Sequence, residues 1–133
     1  MIRTYVENQL YQSPRPGYGS GDVSLAEVKA WMEEVKKKGI RTIICLLTDD
    51  QLAYYRALPG GLLETYRKNG FAVIHRPITD PAYDDKGWQE LENSYESLWQ
   101  DFTNAEKPVL IHCSAGVDRS PKAARYIQSR IGK

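Results

Sequence analysis

Val109-Leu-Ile-His-Cys-Ser-Ala-Gly-Val-Asp-Arg-Ser-Pro121 is the stretch whose reading decides the fold. Val109 to Ile111 is an apolar run of the kind a buried strand shows, and Ser120-Pro121 opens a helical pattern. Ser120 is read as the N-cap and Pro121 as the first helical residue, with the helix running to about Arg130. The connecting loop carries Cys113 and Arg119 with five residues between them. A loop entering a helix N-terminus presents unpaired N–H groups and the positive end of the helix dipole, which together attract anions. Here that anion site has a thiol at its floor.

Working outward, apolar runs at Ile40–Leu47 and Phe71–Arg76 read as two further strands. A β-prone run around Tyr5 and Val6 reads as a short strand within residues 2–10, followed by a Pro/Gly-rich loop from Ser13 to Gly21. Helical spacing appears at Leu25, Val28, Met32 and Val35, behind a Ser24-x-x-Glu27 capping box. Lys36-Lys-Lys38 and Gly39 close that helix, the lysines complementing its dipole. Thr48 with Gln51 opens a helix to about Ala57, and Leu62–Lys68 forms another, stopped by Asn69-Gly70. The longest runs from about Lys86 to Ala105, with Trp88, Leu91, Tyr95, Leu98, Trp99 and Phe102 as its core face. Strands alternating with helices predict an α/β fold, a central, mainly parallel sheet flanked by helices on both faces. Ligands bind such sheets beyond the carboxyl ends of the strands, where Cys113 and Asp80 both fall.

The chain of 133 residues is long enough for one domain with a buried core, and residues 1–133 are taken as a single unit. A formal charge of +1 gives no basic field for nucleic acid, so no nucleic-acid partner is expected. No apolar run approaches the roughly 20 residues that span a bilayer, and no signal core follows Met1. Cys45 and Cys113 have no zinc-site or CxxC spacing, which fits a reduced, cytoplasmic protein. Cys45 sits mid-strand and reads as core rather than as a redox partner of Cys113. His75 reads as structural.

A cysteine attacks only as thiolate, and the loop supplies what favours that form: backbone N–H groups, a helix N-terminus and Arg119. The arginine fork binds two oxygens of a tetrahedral anion. Ser114, Ala115, Gly116, Val117, Asp118 and Arg119 form the expected phosphate-binding ring, Gly116 letting the backbone bend and approach. Sulfur in line with phosphorus would form a phosphocysteine, splitting one hard step into two. The Ser120 hydroxyl can hydrogen-bond the sulfur as it leaves. The fixed positive charge makes a metal or other cofactor unnecessary, and none is expected. The leaving oxygen needs an acid, and Asp80, Asp84, Asp85 and Asp118 are the candidates.

His112-Cys-Ser-Ala-Gly-Val-Asp-Arg-Ser120 resembles the HCxxGxxR[ST] signature of the cysteine-dependent protein tyrosine phosphatases, the small dual-specificity type above all. Gly39–Leu47 resembles that group's strand after the first helix, and Leu62–Asp80 is similar to the kinase-associated phosphatase group and its microbial relatives. The resemblance covers about residues 22–130. It implies a phosphatase fold with Cys113 as nucleophile, Arg119 binding phosphate, Ser120 assisting breakdown of the intermediate and Asp80 as general acid. It also implies that His112 orders the loop rather than acting as a base. The implied substrate is a phosphorylated protein or peptide, carrying phosphotyrosine and also phosphoserine or phosphothreonine. Asp118 stands where protein-directed members commonly carry an uncharged residue, a feature shared with myotubularin-type lipid phosphatases. Phosphoinositide hydrolysis, RNA 5′-triphosphate hydrolysis and a catalytically silent phosphate-binding adaptor are the alternatives.

Overall fold

The structure is a computed structural model describing residues 1–133. Five strands form one sheet in the order β1-β2-β5-β3-β4. They are β1 (Arg3–Val6), β2 (Leu10–Ser13), β3 (Thr42–Cys45), β4 (Ala72–His75) and β5 (Val109–His112). The pairs β2–β5, β5–β3 and β3–β4 are parallel. Only the outer β1–β2 hairpin is antiparallel, turning at Asn8 with φ +63°, a conformation asparagine tolerates. The sheet is thus mainly parallel, as expected.

The alternation of side chains along the strands builds two cores. Tyr11, Ile43, Cys45 and Leu110 face one side, where they meet α1 (Leu25–Lys37) and α3 (Gly61–Lys68). Leu10, Ile44, Val109 and Ile111 face the other, where they meet α4 (Lys86–Asn104) and α5 (Arg119–Ile131). Ser24 caps α1 as its sequence implies: its hydroxyl accepts from Glu27 N–H, and the Glu27 carboxylate accepts from Ser24 N–H, both at 3.2 Å. Gly39, at φ +75°, turns the chain out of that helix. No helix is long and apolar enough to cross a membrane.

Several elements differ from the sequence reading. Where one short strand is expected within residues 2–10 there are two, and β2 runs on to Ser13 because Leu10–Ser13 is buried and pairs along β5. The helix after Thr48 shortens to α2 (Asp49–Leu52), continued by a 3₁₀ turn over Ala53–Tyr55. α5 begins one residue before Ser120, and Asp118 holds the N-cap position without a side-chain cap. Ser120 does not cap because its hydroxyl is engaged elsewhere, and Pro121 fits the first turn, where no N–H is needed. Trp88 lies outside the core, 38% exposed, with Lys122 Nζ 5.3 Å from its ring centroid.

The chain leaves β3 toward α2 and α3 on one face and leaves the adjacent β5 toward α5 on the other. The carboxyl ends of β3 and β5 therefore flank a crevice at a topological switch point.

Candidate active site

The loop of residues 113–118 closes that crevice. Gly116 has φ +76°, and a Cβ there would lie 2.7 Å from the Pro14 nitrogen, so the position requires glycine on two grounds. The N–H groups of Ser114 to Asp118 have no acceptor within the protein, while Ser114 C=O accepts from Arg15 N–H at 2.9 Å. The cavity has a volume of about 230 Å³. Cys113 and Arg119 lie in its wall, with Asp80 and Asp118 beside them and Tyr18 and Tyr83 at the rim.

Cys113 is 2% exposed. Its Sγ lies 3.1 Å from Ser120 Oγ and accepts from Ser120 N–H at 3.4 Å, so the first turn of α5 aims two donors at sulfur. Arg119 is 1% exposed. Its Nη1 donates to Leu46 O, Gln51 Oε1 and Ile78 O at 3.3, 3.0 and 2.8 Å. Nη2 donates to Asp80 Oδ2 at 3.0 Å, and Nε has no partner. One arm of the guanidinium is thus anchored to the ends of the neighbouring strands. The fork formed by Nε and Nη2 has one idle donor and one donor held by an exchangeable carboxylate. Such a fork, beside five free N–H groups, can hold a tetrahedral oxyanion over the sulfur.

Asp80 is delivered by the loop after β4. Ile78 N–H donates to Leu46 O at 3.1 Å. The Glu90 carboxylate grips Thr79 through its N–H at 2.8 Å and its hydroxyl at 3.0 Å, which holds Glu90 below its usual acidity range. Gly87 of α4 packs so closely that a Cβ would collide with the Thr79 carbonyl oxygen. Asp80 Oδ1 accepts from Ala82 N–H at 3.0 Å and Oδ2 from Gln51 Nε2 at 3.0 Å. Asp80 thus caps its own turn through Oδ1 and also lies at the active edge where the sequence places it. Of the other candidate acids, Asp118 lines the same cavity. Asp84 lines a neighbouring one of about 440 Å³, and Asp85 lines neither.

His112 is fully buried. Its Nδ1 faces the Cys113 carbonyl oxygen at 3.0 Å, and its Nε2 faces Tyr66 Oη at 2.9 Å. A carbonyl only accepts, so Nδ1 carries the proton and Nε2 accepts from the phenol. Burial holds the imidazole near a pKa of about 4, hence neutral. Cys45, on the opposite face of the sheet from Cys113, is a free buried thiol that burial pushes up to about 12.

Three polar side chains of the site had no signal in the sequence. Gln12 touches Gly116 O and Ser120 Oγ, Gln51 bridges Arg119 and Asp80, and Arg15 donates to Ser114 Oγ at 3.1 Å. Arg15 also stacks on Tyr54, 4.4 Å from the ring centroid. Their partners lie far along the chain, where no motif could announce them.

The sequence profile of cyclin-dependent kinase inhibitor 3 (CDKN3) matches residues 5–129. The chain belongs to that family. Its fold is similar to a crystal structure of kinase-associated phosphatase in which the catalytic-site cysteine is replaced by serine. There the TM-score is 0.63 and the identity 27%, over 92% of this chain and 65% of that one. The chain thus spans just under two thirds of that relative's length. A putative phosphatase from Shewanella putrefaciens CN-32 shares the fold at TM-score 0.60 and 17% identity, over 98% of this chain and 72% of its own. A putative phosphatase from Neisseria meningitidis Z2491 matches at TM-score 0.53 and 26% identity, over 86% of this chain and 68% of its own. No curated protein matches. The fold and family are those of dual-specificity-type phosphatases.

Proposed function

We propose that the protein hydrolyses phosphate monoesters of phosphoproteins, phosphotyrosine together with phosphoserine and phosphothreonine, through a phosphocysteine on Cys113. The observation that carries this reading is the pairing of Cys113 Sγ with the idle Nε of a buried Arg119 in one cavity. Phosphate oxygens take the Nε–Nη2 fork and the loop N–H groups, displacing Asp80 from Nη2. Released from Arg119, Asp80 takes up a proton from solvent; the thiolate sulfur then attacks phosphorus, the ester P–O bond breaks, and the Asp80 carboxylic acid protonates the leaving oxygen. In the second step Asp80 takes a proton from water as water attacks phosphorus, and Ser120 stabilises the departing thiolate. His112, neutral and fully hydrogen-bonded, orders the strand end and takes no proton.

The test is turnover of p-nitrophenyl phosphate in the presence of a chelator, followed by a panel of phosphotyrosine, phosphothreonine and phosphoinositide substrates. Metal-independent turnover abolished by Cys113→Ser, with phosphopeptides preferred, is the expected result. Undiminished turnover in the variant overturns the mechanism. A clear preference for inositol lipid headgroups overturns the substrate class and points to Asp118 as its determinant.

A further inference from the structure

The site holds a hydrogen-bond chain that begins in the N-terminal hairpin. Arg3 Nη1, on the exposed part of β1, donates to Gln12 Oε1 at 2.9 Å and also to Gly116 O at 2.7 Å. Gln12 Nε2 donates to Gly116 O at 3.0 Å and to Ser120 Oγ at 2.8 Å, and Ser120 Oγ lies 3.1 Å from Cys113 Sγ. The direction of the chain is fixed chemically. Arg3 only donates, so the amide oxygen of Gln12 faces it. The Gly116 carbonyl only accepts, so the amide nitrogen faces the loop. Ser120 Oγ therefore receives a hydrogen from Gln12, and its own single proton is left for the sulfur. Gln12 and Ser120 are both fully buried, so no water competes for these bonds.

We propose that Gln12 is a positioning residue that aims the Ser120 hydroxyl at Cys113 Sγ, with Arg3 fixing and polarising the amide. The device acts on the second chemical step. Water oxygen bonds to phosphorus, the P–S bond breaks with its electron pair going to sulfur, the water proton passes to Asp80, and the aimed hydroxyl stabilises the thiolate that leaves. It contributes little to the first step, in which the sulfur gives up electron density to phosphorus. The arrangement also gives the β1–β2 hairpin a role beyond the sheet and core. This inference rests on the phosphocysteine mechanism proposed above.

Stopped-flow turnover of p-nitrophenyl phosphate separates the two steps. In Gln12→Leu, hydrolysis becomes limiting and steady-state turnover falls about tenfold, the scale of one lost hydrogen bond to a charged group. A burst of p-nitrophenolate, stoichiometric with enzyme, then precedes it. Ser120→Ala gives the same pattern, and the double variant is no slower than Ser120→Ala alone, because the two residues act on one bond. Arg3→Ala, at an exposed position that leaves folding intact, lowers the steady state by about threefold, and Arg3→Lys recovers part of it. Equal loss in burst rate and steady state, or additive loss in the double variant, would overturn the positioning role. So would unchanged steady-state turnover in both Gln12→Leu and Arg3→Ala. Absence of turnover in the unmutated protein would instead defeat the phosphatase reading itself, and this inference with it.

Discussion

Replacing Tyr66 with Phe removes one oxygen atom and tests how the loop base is held. The phenol donates to His112 Nε2 at 2.9 Å, and both side chains are fully buried. Burial pushes the Tyr66 phenol well above its usual value of 10, so it remains a donor throughout the working pH range. The Phe ring keeps the stack on Trp31 at 5.6 Å and the edge contact with Phe71 at 6.4 Å, so packing is preserved. What is lost is the partner of a buried imidazole nitrogen that has no route to water, a penalty of ~1–3 kcal/mol. With a urea m-value of ~1.5 kcal/mol per molar, the unfolding midpoint at pH 7.5 should fall by about 1 M. In a His112→Leu background the same substitution should be neutral or stabilising, because the phenol itself is then the unpaired group. A midpoint shift below about 0.3 M in the unmutated background, or the same shift in both backgrounds, would refute the assigned tautomer and the hydrogen bond that depends on it.

His112 also sets a pH dependence. Its folded-state value of about 4 lies below its usual 6.5, so the unfolded chain binds the extra proton between these values. The stability this represents is complete above pH 6.5 and is lost as pH falls toward 4, roughly 3 kcal/mol by equilibrium unfolding. A flat profile over that window would show that His112 is not buried in the neutral form. Asp80→Asn should slow alkyl phosphates about a hundredfold while changing p-nitrophenyl phosphate far less. If Asp118→Asn shows that pattern instead, the acid is Asp118. Gly87→Ala should reproduce the Asp80 leaving-group pattern without altering any carboxyl, since its Cβ displaces Thr79. A leaving-group profile identical to that of the unmutated protein would dissociate the two. Iodoacetamide at pH 8 should label one thiol, because Cys45, pushed up to about 12, is thiolate in roughly one molecule in ten thousand. Two labels on folded protein would show Cys45 to be accessible.

The candidate site is legible in the sequence because it is local. A strand end, a glycine-bearing turn and a helix start bring Cys113, the loop N–H groups, Arg119 and Ser120 together within a few residues. Glycine spacing, the buried apolar run and the arginine fork each have a physical signature in such a stretch. The alternating apolar faces of Ile43 to Leu46 and Val109 to Ile111 likewise announced a sheet covered on both sides. The N-terminal hairpin escaped because β2 has only four residues and includes Gln12 and Ser13, whose burial depends on partners in β5 and the loop. Read alone, Leu10-Tyr-Gln-Ser13 looks like the approach to a loop. Ser120 has good N-cap chemistry, and only tertiary contacts show that its hydroxyl instead meets Gln12 and the Cys113 sulfur.

What escaped has a common logic. The loop after β5 is flanked by β2 on one side and by the segment that follows β3 on the other. Each delivers a glutamine, Gln12 from within β2 and Gln51 from α2. Gln12 reaches Ser120 across 108 residues of chain, and Gln51 reaches Arg119 across 68. A carboxylate at position 51 would neutralise the Arg119 charge that an anionic ligand needs, and one at position 12 could not donate to Ser120. A lysine at position 51 could not accept from Arg119, and one at position 12 could not accept from Arg3. An amide donates and accepts without changing the charge of the site. It can therefore orient Arg119 and Ser120 while leaving the positive field to the arginine and the backbone. Burying two uncharged amides beside an anion site imposes a requirement for full hydrogen bonding rather than for charge balance. At both positions the amide oxygen and the amide nitrogen each have a partner.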